Sequence, residues 1–393
     1  MHESIKKSKF RNIIQKNCIF VKNKNKYENM NKNNFCVIMA GGVGVRFWPM
    51  SKTSRPKQFI DILGIGKSLI QMTVDRFSKI CPMENTYIVT SEVYYDLVKK
   101  QLPQLSDEQI ILEPMRRNTA PCIAYANYKI KQRNPNATIV VAPSDHIILS
   151  EDSFAKHIEA AMACAEKNPW LLTLGIKPTR PDTGYGYIQF DERNNYAPEP
   201  RISKVKLFTE KPELELAQQF LESGDFLWNA GIFVWKLSSI EHAFEQFLPD
   251  IDGLFRQGAD KLNTPQEKDA IYSIYEQCRA ISIDYGVMEK APNVHVLSSD
   301  FGWSDLGTWG SLFEHLKKDG HNNAVLAAKD VFTYNTNNCI INTPKNKVVV
   351  VQGLQDYIVS ESDNILLICK KKDEQQIRQF VYDVQTGKGE KYV

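Results

Sequence analysis

"CVIMAGGVGVRFWPMSKTSRPKQF", Cys36 to Phe59, sets three glycines in four positions directly behind an apolar run and follows them with Arg46, Arg55 and Lys57. The apolar run has the length of a buried strand, and glycines, lacking Cβ atoms, let backbone amides approach a ligand closely. Spacing excludes two familiar phosphate loops. A dinucleotide fingerprint needs Gly-x-Gly-x-x-Gly opening a helix, but Gly41, Gly42 and Gly44 are soon followed by Pro49, which blocks that helix start. "GIGKS" (64–68) ends like a nucleotide P-loop, yet its first glycine would fall at Asp61 and no strand precedes it, so it reads as a turn opening the next helix. What remains is a strand-to-loop turn whose bare amides, with Arg46 and Lys57, suit a triphosphate. A glycine turn with incidental cations is the competing reading.

Working outward, "FCVIMA" (35–40), "TYIVT" (86–90), "QIILE" (109–113), "TIVVA" (138–142) and "LLTLG" (171–175) are short runs rich in Val, Ile and Leu. Helical patterns lie between them: "SLIQMTVDRFSKI" (68–80), and "TAPCIAYANYKIKQ" (119–132) with Pro121 in its first turn. Alternating strands and helices predict an α/β fold with a Rossmann-like, mixed but mostly parallel sheet covered by helices on both faces. After residue 176 the pattern loosens into a substrate-binding insertion with a hairpin-like stretch, "RISKVKLFTEKP". From about residue 325, short β-prone runs alternate with Asn, Gly and Asp turns until "DEQQIRQFVYDV". The expected organisation is a basic, disordered extension at 1–34, a catalytic domain at 35–322, and a β-rich domain at 323–393, a short β-helix or meander ending in a helix.

The 393 residues carry a net charge of +3, but residues 1–34 hold nine Lys/Arg against two Glu, a local +7 that leaves the rest at −4. A mildly acidic body offers no nucleic-acid-binding face. No stretch approaches the roughly 18 apolar residues of a membrane span. The eight cysteines are scattered, with no Cys-x-x-Cys pair, and predict reduced thiols in a cytoplasmic protein.

Further motifs carry chemistry. "VVAPSDHII" (140–148) ends a strand in Ser144, Asp145 and His146, on the edge of a parallel sheet where the glycine loop also stands. Asp145 is a candidate Mg²⁺ ligand or a turn cap, and His146 suits a structural role better than that of a base. "FGWSDLGTWGSL" (301–312) supplies Asp305, either a second metal ligand or the N-cap of the helix that follows. Glu210 and Lys211, before a proline-started helix, and Asn229 in "WNAG" offer the acceptor, cation and amide that a sugar phosphate needs. "EPMRRNTAP" puts Arg117, Asn118 and Thr119 at a helix start, where they bind an anion or a base edge, or simply cap.

Taken in order, "AGGVGVRFWPMSKTSRPKQF", "EPMRRNTAP", "APSDH", "TGYGYI…EKP…WNAG" and "SIDYGVMEK…GWSDLGTW" resemble the bacterial mannose-1-phosphate guanylyltransferases (GDP-mannose pyrophosphorylases) of the sugar-nucleotidyltransferase superfamily. The resemblance runs from Phe35 to the C-terminus. It implies the nucleotide-diphospho-sugar transferase fold and the reaction GTP + mannose 1-phosphate ⇌ GDP-mannose + diphosphate, assisted by Mg²⁺ or alternatively Mn²⁺. By position, Gly41, Gly42, Gly44, Arg46 and Lys57 would bind the triphosphate, with Arg117, Asn118, Thr119 and Ser144 in the nucleotide site. Asp145 and Asp305 would hold the metal, and Gly186, Glu210, Lys211 and Asn229 the sugar phosphate. It further implies a homodimer and a role in making a polysaccharide precursor. No protein nucleophile is needed, since the sugar phosphate itself attacks the α-phosphorus. Val45 stands where the superfamily usually has a hydroxyl residue. Longer members append an isomerase domain with a metal-binding pattern, which this chain is expected to lack.

Overall fold

A computed structural model describes residues 30–197 and 201–393. The basic extension therefore lies, up to residue 29, outside the described residues. Asn34 already belongs to the first strand, one residue earlier than expected, and Asn85 Nδ2 ties the backbone there by donating to the carbonyls of Lys32 and Asn34.

In chain order the strands of the first part are β1 (Asn34–Met39), β2 (Thr86–Ser91), β3 (Ile110–Glu113), β4 (Thr138–Pro143), β5 (Ile147–Ile148), β6 (Leu171–Ile176), β7 (Gly186–Ala197), β8 (Ile202–Glu210), β9 (Phe226–Lys236), β10 (Val294–Ser299) and β11 (Trp303–Ser304). Nine of them form one sheet in the order β3-β2-β1-β4-β9-β6-β10-β8-β7. β1 to β4, β6, β7 and β10 point one way, whereas β8 and β9 run against them. The sheet is thus mixed and mostly parallel, as the alternating pattern predicts. The hairpin-like stretch is the return strand β8 of a long hairpin with β7, and β9 closes on both β7 and β6.

Alternation along β1 divides the core. Phe35 and Val37 face the helix Thr119–Arg133, and Cys36 and Ile38 face the helices Leu69–Phe77 and Glu151–Lys167. Both faces are apolar because both are covered. As expected, "GIGKS" is a turn that opens the next helix: Ser68 stands at the N-cap with its amide donating to Gln71 Oε1, and Asp61 accepts from the amides of Ile65 and Gly66.

The C-terminal region contains β12 (Ala324–Leu326), β13 (Asp330–Tyr334), β14 (Ile340–Asn342), β15 (Val348–Gln352), β16 (Tyr357–Ser362) and β17 (Ile365–Lys370), then the helix Ile377–Lys388. β12, β14 and β16 stack in parallel with Ala324 beside Ile340 and Ile340 beside Ile358, while β13 stacks on β15. This parallel coiling is a β-helix, not a meander, and the antiparallel β16–β17 pair ends it. Ile340, Ile358, Leu367 and Ile377 share one apolar cluster with Phe47, Trp48 and Trp309. Trp48 Nε1 donates to the Tyr392 carbonyl at 2.7 Å, and the Gly310 amide to Glu374 Oε2 at 2.7 Å. The β-helix is therefore fastened to the turn that follows the glycine loop.

Candidate active site

β1 and β4 are neighbours with Met39 beside Pro143, so the glycine loop and Asp145 emerge at the same sheet edge. Asp305 reaches that place through a small antiparallel clamp, Trp303 and Ser304 of β11 on Ile148 and Ile147 of β5. The result is a cavity of about 540 Å³ bordered by Gly44, Val45, Arg46, Phe47, Lys57, Asp145, His146, Asp305, Leu306, Gly307 and Arg378. Instead of a helix, the loop enters a single 3₁₀ turn, Val45–Phe47. Gly44 has φ of 73°, and a Cβ there would lie 2.5 Å from that of Lys57, so both backbone and space demand glycine.

Lys57 is buried and fully engaged. Its ammonium donates to the carbonyls of Asp305 at 2.8 Å and Leu306 at 2.9 Å, and pairs with Asp145 Oδ2 at 2.8 Å. An ammonium has three protons, so a phosphate oxygen reaches it only by displacing one of these partners. Leu306 presents its carbonyl from a left-handed conformation, φ 46°, unusual for a branched residue and a local strain held at the site. Burial opposes ionisation of Asp145, yet the charge and hydrogen bond of Lys57 hold its carboxyl below the ordinary range. Asp305 does not cap the following helix, because Thr308 does, accepting from the Ser311 amide. Asp305 Oδ1 instead accepts from the Tyr185 hydroxyl at 2.7 Å and the Gly307 amide at 2.9 Å. His146 is structural: its Nδ1 accepts from Trp303 Nε1 at 3.1 Å, and burial lowers its pKa, keeping the ring neutral.

A second group gathers where β7, β8 and β9 meet. Gly186 is paired with Glu210, and a Cβ on it would collide with Glu210 Oε2 and crowd Asn229. Glu210 Oε2 is buried with no hydrogen-bond partner, while Oε1 pairs with Lys211. Asn229 Oδ1 accepts from Thr173 Oγ1 and its Nδ2 donates to Asp284 Oδ1, each at 2.9 Å. Asp284 was not singled out from the sequence. Burial, and then the charge of Glu210, push its carboxyl up to about 7. Its signal was a carboxylate set in the apolar run "ISIDYGVM", which folds as a π-helical turn, Asp284–Met288. Tyr185, next to Gly186, joins the two groups, for its hydroxyl is on Asp305 and its carbonyl accepts from the Lys211 amide at 3.2 Å. The helix expected to start at proline begins instead at Leu214, after Pro212 and Glu213.

None of Arg117, Asn118 and Thr119 borders the glycine-loop cavity, but they brace the segment that carries Asp284. Arg117 Nε donates to the Tyr275 carbonyl at 2.8 Å, Asn118 Oδ1 accepts from the Thr119 amide as the helix cap, and Thr119 Oγ1 accepts from the Ile283 amide. Ser144 is buried, its amide donating to the Met39 carbonyl and its carbonyl accepting from Thr73. Gly41 and Gly42 leave open space at the loop's start, and a Cβ on Gly41 would be 3.8 Å from Glu113 Oε2. Glu113, at the end of β3, is the other carboxylate missed in sequence. Burial pushes it up to about 7 although the Tyr275 hydroxyl donates to Oε1 at 3.0 Å.

Asp145 and Asp305 both border the cavity, Asp145 with Oδ2 on Lys57 and Asp305 with Oδ1 on Tyr185 and Gly307. Two hard oxygen donors facing a phosphate-sized cavity fit Mg²⁺, which takes one or two carboxylates and completes its shell with water and phosphate. No helix among the described residues is long and apolar enough to cross a membrane. The seven described cysteines are unpaired.

Comparison with known proteins bears on the family and the fold. Residues 35–322 match the nucleotidyl transferase family and residues 329–383 the MannoseP isomerase/GMP-like beta-helix domain. A mannose-1-phosphate guanylyltransferase of Escherichia coli is 33% identical over 88% of this chain and 74% of its own length. One from Salmonella montevideo is 35% identical over 89% and 73%. A solved Thermus thermophilus structure, described as a mannose-1-phosphate geranyltransferase, superposes with a TM-score of 0.79 at 26% identity, covering 90% of this chain and 99% of that one.

Proposed function

The chain belongs to the nucleotidyl transferase family, among the mannose-1-phosphate guanylyltransferases, and we propose that it joins GTP and mannose 1-phosphate into GDP-mannose and diphosphate. The observation that carries this reading is the convergence of Asp145, Asp305 and Lys57 on the glycine loop, with the polar group of Glu210, Asn229 and Asp284 linked to Asp305 through Tyr185.

The amides of Gly41, Gly42 and Gly44, with Arg46, cradle the triphosphate. Lys57 clamps Asp145 to the Asp305–Leu306 backbone and so fixes both carboxylates, which would hold Mg²⁺ or Mn²⁺; when bound, the ion neutralises charge on the α-phosphate and the leaving diphosphate. Glu210, Asn229 and Asp284 take the sugar hydroxyls, and Lys211 the sugar's phosphate. A phosphate oxygen of the sugar attacks the α-phosphorus in line while diphosphate departs on the far side, so positioning and charge neutralisation carry the rate. Glu113 beside Gly41 reads the base. Its carboxylate offers two acceptors, which complement the adjacent N1–H and N2–H of guanine; adenine offers only one donor there.

Free thiols accord with a cytoplasmic setting, and the exposed apolar side chains Phe332, Tyr334, Val348 and Val350 on β13 and β15 with a homodimer, which light scattering would test. The function itself is tested by diphosphate release from each of four nucleoside triphosphates with mannose, glucose and fucose 1-phosphates. Turnover is expected with GTP, mannose 1-phosphate and Mg²⁺ together. Preference for another pair would reassign the substrates, and no turnover with any pair would remove the activity.

A further inference from the structure

The cation balance of the triphosphate cavity is incomplete if only the catalytic domain is counted. Two carboxylates, Asp145 and Asp305, face it, and so do Lys57 and Arg46, for a side-chain sum of zero before any ion that the two carboxylates would hold. Lys57 has committed all three of its protons to protein oxygens. Arg46 alone is then a poor match for a triphosphate carrying several negative charges. The third cation at the rim is Arg378, which raises the sum to +1 and comes from the other end of the chain, in the first turn of the helix Ile377–Lys388. Neither Arg46 nor Arg378 forms an ion pair with a described residue. The position of Arg378 is not incidental. Its neighbour Ile377 is buried in the cluster shared with Phe47 and Trp48, and Trp48–Tyr392 and Gly310–Glu374 hydrogen bonds hold the chain on either side.

We propose that Arg378 binds the β- and γ-phosphates of the nucleotide, so that the β-helix region with its terminal helix completes the active site. The inference rests on the nucleotidyltransferase reading. The cavity that Arg378 borders includes none of Gly186, Glu210, Lys211 or Asn229, and Asp305 stands between it and them, its Oδ1 turned to Tyr185. In an in-line displacement, attacking and leaving groups lie on opposite sides of the α-phosphorus. A cation on the side away from the sugar group therefore meets the leaving diphosphate.

The test uses the full chain with Arg378→Gln and Arg378→Lys, assayed in the reverse direction with GDP-mannose and diphosphate. Arg378→Gln should raise the KM for diphosphate about tenfold, the range of one charge-assisted hydrogen bond, and leave the KM for GDP-mannose unchanged. In calorimetry, GTP should bind more weakly by a similar factor and GMP equally well. Arg378→Lys should recover most of the loss, since the charge remains. Unchanged melting temperatures exclude undocking of the helix as the cause. An unmoved diphosphate KM, or equal weakening of GTP and GMP, overturns the proposal. If the wild-type protein ignores GDP-mannose, the functional reading fails, and the same diphosphate measurement with the sugar nucleotide it does accept still decides Arg378.

Discussion

On the glycine-loop side of the site, the inner charges already have their opposites: Lys57 is locked to Asp145 and two carbonyls, and Asp145 ionises readily. On the β7–β9 side, two carboxylates stand together, Glu210 with an oxygen that nothing satisfies and Asp284 resisting ionisation until about pH 7. A compensated wall holds its shape while charge moves along a phosphate chain. The second pair is compensated only in part, by Lys211 on Glu210 Oε1 and Asn229 on Asp284, and the bare Glu210 Oε2 calls for a donor, because a buried acceptor without a partner costs about 1–3 kcal/mol until one arrives. The difference separates the chemistry from the recognition, and it can be attacked on either side.

The largest effect belongs to the compensated wall. Asp305→Asn keeps the shape and an acceptor for Tyr185 but removes a metal-binding charge, and should lower kcat by about 10³-fold with a melting temperature near wild type. Mg²⁺-dependent turnover at the wild-type rate would remove Asp305 from the ion. On the part-compensated side, Glu210→Gln should act on KM: an increase of about 10- to 100-fold for the sugar phosphate, the range of a charge-assisted hydrogen bond, with the KM for GTP unmoved. Equal damage to both substrates would mean that the two halves are one unit and the contrast is false.

At the proposed base contact, Glu113→Gln should cut the preference for GTP over ATP by about tenfold. The raised pKa adds a signature. Glu113 is neutral below about pH 7 and can accept from two donors only once ionised, so the KM for GTP should fall as pH rises through that value, and the Gln variant should lose this dependence. A flat wild-type profile would dissociate Glu113 from the base.

How far all this was legible differs between the same two regions. Gly44, Arg46, Lys57, Asp145 and Asp305 could be found because each is chemically odd in its local sequence: glycines after a strand, or an acid at a strand's end. That Lys57 would commit its protons to protein could not be read, since its partners are 88 to 249 residues away and come close only through the β1–β4 pairing and the β5–β11 clamp. Glu113 and Asp284 were missed for the complementary reason. Their significance is burial, which exists only after the sheet and the π-helical turn have formed. Arg378 is further still: an exposed arginine on an amphipathic helix looks like surface until the helix is docked on Phe47 and Trp48. The β-helix was half legible, because Ile340 and Ile358 recur 18 residues apart in a register that the Asn-rich corners partly conceal.

The smallest effect is on stability, and it distinguishes the regions by sign. Asp284 is raised from an ordinary carboxyl value to about 7 in the folded chain, so folded protein holds a proton that unfolded protein releases between those values. Its contribution is present in acid and lost as pH rises toward 7. Glu113 acts in the same window and the same direction. Asp145 is held low, so its contribution is present above the ordinary carboxyl range and lost as pH falls below it. In the absence of ligands, Asp284→Asn, which keeps an acceptor for Asn229 Nδ2, should therefore flatten the decline in melting temperature between about pH 4 and pH 7, while the decline in stronger acid stays as in wild type. Asp145→Asn should do the converse. If both variants follow the wild-type curve in both windows, the two halves of the site do not differ in charge compensation.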